Sequence, residues 1–177
     1  MSASDPVRLS NGAAMPRCGL GTANMRGDLA ERAVRDAIEA GYRSIDTAEA
    51  YRNEDAVGRA IRASGVPRGE LFVTTKFDRH WHREDGPRQA LDASLGRLGL
   101  DTLALLLIHW PNPDLGRYVD AWRGMVDLLE EGRVCAIGTS NFTPEHLTRL
   151  IEETGVAPHV NQVQLNRRFG NERGGGS

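Results

Sequence analysis

Cysteine is scarce in this 177-residue chain, which holds only Cys18 and Cys135. Each lies in an apolar stretch that reads as a strand, so both are expected to be small buried hydrophobes rather than a disulfide or part of a thiolate metal site. An excess of one charge is also missing: the formal net charge is -2 and the pI is near 6.2. Without a basic surface to neutralise phosphates, nucleic acid is excluded as a partner. No apolar run approaches the ~20 residues of a membrane span. Met1-Ser2-Ala3-Ser4-Asp5-Pro6 lacks the charged and apolar regions of a signal peptide. A cytoplasmic protein without a membrane partner is expected.

What is present is the material of one packed domain, 40% hydrophobic and 26% charged. After a hairpin around Asn11-Gly12, a pair favoured in type I′ turns and a plausible plug for a barrel floor, strands and helices alternate. Strands are expected near Arg17–Gly21, Arg43–Asp46, Leu71–Lys76, Leu103–His109, Val134–Gly138 and Val160–Leu165. The first helix is expected to open with Asp28 as N-cap and Glu31 three residues on. It continues through Ala33, Val34, Ala37 and Ile38 and stops at Gly41. Further helices are expected at about Glu54 to Ala63, Pro87 to Leu98, Tyr118 to Glu131 and Pro144 to Thr154, the last capped by Thr143 with proline in its first turn. A period of roughly 30 residues matches βαβ units and a parallel sheet, either open and doubly wound or closed into a barrel.

Three apolar runs end in a titratable residue: Ser44-Ile45-Asp46, with Tyr51 five residues later, Phe72-Val73-Thr74-Thr75-Lys76, and Leu105-Leu106-Leu107-Ile108-His109. In parallel α/β folds the C-terminal ends of strands are where chemistry sits, and reactive residues drawn from several successive strands favour a barrel over a single switch point. Taken singly, each residue also has a structural reading. Asp46 would suit a helix cap, Lys76 would reach solvent, Tyr51 would pack a helix and His109 would be a satisfied strand-end histidine. Two other patterns point elsewhere. Gly19-Leu20-Gly21 starts like a dinucleotide fingerprint but carries Asn24 at its last position. His80-Trp81-His82 lacks the further ligands of a metal site, so no metal is expected.

The segments GYRSIDTAEAYRNEDAVG, the Lys76 strand, LALLLIHWP, RVCAIGTSNF and VNQVQLN, in this order, resemble the aldo-keto reductases across nearly the whole chain. The resemblance implies a (β/α)8 TIM-barrel type of α/β fold, incomplete here with about six of eight βα units. It assigns residues 1–173 to the partial barrel and 174–177 to a Gly/Ser tail or linker. Open barrel edges would then allow self-association.

It further implies reduction of a small carbonyl substrate by NADPH, with NADH possible as cofactor, and a catalytic tetrad of Asp46, Tyr51, Lys76 and His109. Tyr51 would be the general acid, its phenol brought toward neutrality by the Lys76 cation, and Asp46 would keep Lys76 charged. His109 would donate to the carbonyl oxygen or pass a proton through Tyr51. Ser140, Asn141 and Gln162 would hold the nicotinamide carboxamide, with Thr22, Ala23 and Asp46 beside it. Met25, Trp81 and Trp110 would form an apolar substrate wall. The cofactor's pyrophosphate and 2′-phosphate would be held by loops of a seventh and eighth strand. Two other classes remain open, a non-catalytic barrel fragment or binding module, and a Schiff-base enzyme using Lys76.

Overall fold

The computed structural model describes residues 5–165; the expected partial-barrel stretch 166–173 and the Gly/Ser tail 174–177 lie outside them. Two short antiparallel strands, β1 (Val7–Arg8) and β2 (Ala14–Met15), form the hairpin. Gly12 takes a φ of 86° while Asn11 does not enter the left-handed region, so the turn is not type I′. The Asn11 side chain is used twice: Oδ1 accepts from Ala13 N at 3.1 Å and Nδ2 donates to Cys135 O at 2.8 Å.

Six parallel strands follow in chain order, β3 (Leu20–Gly21), β4 (Ser44–Asp46), β5 (Phe72–Phe77), β6 (Leu103–Ile108), β7 (Val134–Ser140) and β8 (Val160–Gln162), each paired with the next. Five helices cross between them: α1 (Gly27–Glu39), α2 (Glu54–Ala63), α3 (Gly86–Leu98), α4 (Tyr118–Glu130) and α5 (Pro144–Thr154). This is the arc of an incomplete (β/α)8 barrel, with β3 and β8 as the edge strands among the described residues. No described helix is long and apolar enough to cross a membrane.

The larger apolar cluster fills the space between sheet and helices, joining Val34, Val57, Leu91 and Trp122 to Ile45, Leu106, Ile108 and Ile137. Strand alternation turns Leu105 and Leu107 into a second cluster with Ala136 and the hairpin residue Leu9, the packing expected of a floor plug. Where α2 and α3 cross, Gly58 lies against the backbone of Leu98: a Cβ there would stand 1.9 Å from the Leu98 carbonyl oxygen.

Two local expectations are corrected. Asp28 is not the N-cap of α1. Arg26 holds that position with no side-chain cap bond, because Gly27, at a φ of 51°, already turns the chain into the helix, and Asp28 falls in the first turn. The cysteines are exposed rather than buried. Cys18 precedes β3. Cys135 lies near the N-terminal end of β7 and lines an open cavity of about 330 Å³ with Arg68, Thr102 and Ala104. By contrast, Thr143 caps α5 as expected. Its Oγ1 accepts from His146 N, and its own N–H donates to His146 Nδ1 at 3.2 Å.

Candidate active site

The register of the sheet brings the strand ends to one rim. Gly21 pairs with Asp46, Asp46 with Thr74, Lys76 with Leu107, and Ser140 with Gln162. Lys76, one residue before the C-terminal end of β5, is 1% exposed and its Nζ donates to Asp46 Oδ1 and, at 3.0 Å, to Thr47 O. Gln162 Nε2 donates to the other Asp46 oxygen at 2.8 Å, so the carboxylate bridges β5 and β8. Burial pushes the Lys76 ammonium below its ordinary value, and the Asp46 charge opposes that shift.

Tyr51 sits in a short 3₁₀ turn, Glu49–Tyr51, after β4. Its ring lies under Lys76 Nζ, 5.2 Å from the centroid, and meets the His109 ring edge-on at 5.7 Å. The phenol is pushed up from its usual value of 10, not down. Burial is the largest cause, and the Asp46 and Asp78 carboxylates add to it. The expected lowering by Lys76 is therefore corrected: the cation stands over the ring, with Asp46 as its ion-pair partner.

His109 directly follows β6, held by its N–H to Phe77 O at 3.1 Å. Its Nδ1 is 3.0 Å from Asp78 Oδ1. Asn141, left-handed at a φ of 61°, donates through Nδ2 to His109 O at 3.2 Å and to Ser140 Oγ at 3.0 Å. Thr22 is buried and donates through both N and Oγ1 to Asp46 O. Asp46, Tyr51, Lys76 and His109 thus form one connected cluster with Ser140, Asn141, Gln162 and Thr22.

The remaining candidates sit further out. Ala23 is exposed beside Thr22, and Met25 contributes its carbonyl oxygen to Asn53. Trp81, in another 3₁₀ turn (Arg79–Trp81), is half-buried, with its indole N–H held by Glu49 at 3.0 Å. Trp110 is exposed, its ring 6.3 Å from His109.

Several residues that hold this rim carry no role in the sequence reading. Asn53 is fully buried and ties three segments together, accepting from Thr47 Oγ1 at 2.7 Å and donating to Thr22 O and Met25 O, both at 2.8 Å. Glu54 accepts from Thr75 Oγ1 and Arg97 Nε, each at 2.6 Å, locking α2 to β5 and α3. Asn161 binds the backbone of Phe142 through both atoms of its amide. Asp78 falls just past a strand end, the same signal that selects Asp46 and His109. Asn53, Glu54 and Asn161 have no comparable local signal. Among the described residues no group of three His, Cys, Asp or Glu side chains could hold a metal ion.

Comparison with known proteins places this rim in context. The sequence profile of the Aldo/keto reductase family matches residues 9–172. The chain is 50% identical over 163 residues to 2,5-diketo-D-gluconic acid reductase B of Corynebacterium sp., covering 92% of this chain and 59% of that protein. It is 50% identical over 160 residues to methylglyoxal reductase DkgA of Salmonella typhimurium, covering 90% and 57%. Its fold matches the crystal structure of an aldo/keto reductase from Brucella melitensis at a TM-score of 0.89 and 43% identity, covering 94% of this chain and 65% of that one. A Bombyx mori aldo-keto reductase crystallised with NADP matches at 0.87 and 38%, covering 96% and 61%. The chain therefore spans less than three fifths of the length of these curated relatives. With profile, sequence and fold agreeing over nearly all of its residues, the chain belongs to the aldo/keto reductase family.

Proposed function

We propose that this chain carries the catalytic rim of a cytoplasmic oxidoreductase that reduces small aldehydes or ketones to alcohols with NADPH, NADH being the second candidate cofactor. The observation that carries this reading is the contact of the Tyr51 ring with both the buried Lys76 ammonium, ion-paired to Asp46, and the His109 ring. A carbonyl needs a proton donor as negative charge develops on its oxygen. A phenol pushed above its ordinary value keeps its proton at neutral pH and is in the donor state when substrate arrives. Lys76, kept cationic by Asp46, places positive charge beside the phenolate that forms when the proton leaves.

The donor set suits a nicotinamide. Ser140 and Gln162 are register partners at adjacent strand ends and Asn141 follows Ser140, so one hydroxyl and two neutral amides would be at hand to hold the donor and acceptor of a carboxamide. When bound, the nucleotide supplies the hydride. The names of the relatives, a diketogluconic acid reductase and a methylglyoxal reductase, support small polar carbonyl compounds as substrates. Schiff-base chemistry is disfavoured, since Nζ protons of Lys76 go to Asp46 and Thr47 O.

The test is NADPH fluorescence titration together with turnover of a reactive aldehyde by the chain and by Tyr51→Phe. Saturable binding is expected, with turnover falling at least about 100-fold in the variant, the low end of a general-acid contribution. Turnover unchanged in Tyr51→Phe would refute the assignment, and no binding would favour the non-catalytic reading.

A further inference from the structure

Asp78 is one of the charged groups nearest the proposed acid. Its carboxylate lies 3.0 Å from His109 Nδ1, and its own N–H reaches Glu49 Oε2 at 3.4 Å. The titratable groups facing the pair are Tyr51 against the His109 ring, with Lys76 and Asp46 behind it, Glu49 at the Asp78 N–H, and His80 and His82 near Asp78. The hydrogen bond from His109 holds the Asp78 carboxyl below its ordinary value, and the neighbouring histidines add to this, so Asp78 is ionised near neutrality. An ionised carboxylate only accepts hydrogen bonds. The nitrogen 3.0 Å from it must therefore carry a proton, and in neutral imidazole that leaves Nε2 bare.

We infer that Asp78 is a positioning residue that fixes His109 in its Nδ1–H tautomer, so that Nε2 offers an acceptor which selects substrates bearing a hydroxyl next to the reacting carbonyl. Resting on the reductase reading above, it divides the work at the rim. Tyr51, holding its proton, donates to the carbonyl oxygen, and His109 in this tautomer receives the neighbouring hydroxyl. A carbonyl compound without that hydroxyl leaves Nε2 unmatched, and a site built to bind a hydroxyl discriminates against the analogue lacking it.

Two measurements separate this inference from the reading beneath it. Nitrogen NMR of the His109 ring, read on its uncharged form, is expected to show a protonated Nδ1 and a bare Nε2. In Asp78→Asn, which keeps the volume but offers both a donor and an acceptor, that preference is expected to relax toward a mixture, and Asp78→Ala is expected to do the same. A protonated Nε2 in the parent chain, or the same tautomer in all three proteins, would overturn the inference whether or not the protein is an active enzyme.

The second measurement is kcat/KM for 2-hydroxypropanal against propanal. The parent is expected to favour the hydroxyaldehyde, and Asp78→Asn to lower that ratio about 3- to 10-fold, mainly through KM, as befits one hydrogen bond. An unchanged ratio would remove the substrate assignment. Absence of turnover with either aldehyde would instead remove the reductase reading and the selection that rests on it, leaving the tautomer to be decided by NMR.

Discussion

Replacing Gly58 with alanine sets two opposed effects against each other. In a helix interior, glycine to alanine ordinarily stabilises by about 1 kcal/mol. At Gly58 the added Cβ would stand 1.9 Å from Leu98 O and 2.6 Å from Leu98 C, where ordinary contact begins at 3.4 Å. The obstacle is backbone, so α2 and α3 must separate by about 1.5 Å, an overpacking strain of about 1–3 kcal/mol. The same displacement would lengthen the 2.6 Å bond from Arg62 Nη1 to Leu98 O, costing about another 1 kcal/mol.

The net expectation for Gly58→Ala is a loss of about 2 kcal/mol, or a fall in Tm of about 4–8 °C. Gly96, in α3, has no atom within 4 Å of its added Cβ, so Gly96→Ala is expected to gain about 0.5–1 kcal/mol. Urea midpoints of the two variants, with unchanged slopes, provide the comparison. A Gly58→Ala protein as stable as Gly96→Ala would refute the close approach of the two helices. Because Glu54 joins α2 to β5 and Arg97, separation of the helices should also weaken turnover.

His82 is 3% exposed, neither ring nitrogen has a hydrogen-bond partner, and burial pushes its pKa from 6.5 down to about 4. Between those values the unfolded chain binds a proton that the folded one refuses, so stability should fall as pH drops. Allowing for solvent screening, about 1 kcal/mol should be lost between pH 7 and 5. Urea midpoints of the parent and His82→Leu at both pH values test this, and equal slopes in the two proteins would count against it. Asp46→Asn leaves the Lys76 charge buried without its partner and should cost about 3 kcal/mol together with turnover. Adding Lys76→Met should recover stability without activity, and denaturation of the single and double variants checks both. Asn53→Ala removes three hydrogen bonds, two of them buried, and should cost about 2–3 kcal/mol, read from thermal unfolding.

Much of the fold was legible because its signals are local. The Glu54–Ala63 and Pro144–Thr154 helices have the bounds expected from periodicity and stops, and Thr143 supplies the cap that its sequence context announces. Asp28 misled because a left-handed Gly27 starts α1 earlier than a side-chain cap would. Cys135 misled because an apolar strand pattern does not report which strand ends the helices leave uncovered. At the rim, titratable residues closing apolar runs located Asp46, Lys76 and His109, and the same rule extended two residues past Lys76 would have reached Asp78. Asn53 is different. Its partners Thr22, Met25 and Thr47 are brought together only by the folded loops, so nothing within a few residues of it announces its role.

The bond from Gln162 to Asp46 spans 116 residues, whereas that from Lys76 to Asp46 spans 30. Closing the longer loop costs about 1 kcal/mol more in chain entropy. The βα units can form from near neighbours, but the full ligation of Asp46 waits for β8, an edge strand among the described residues, to dock. During synthesis on the ribosome, the chain can therefore acquire most of its helices while Asp46 still lacks one of its two side-chain partners. Recovery of the turnover proposed for this rim should lag behind recovery of the helical signal during refolding.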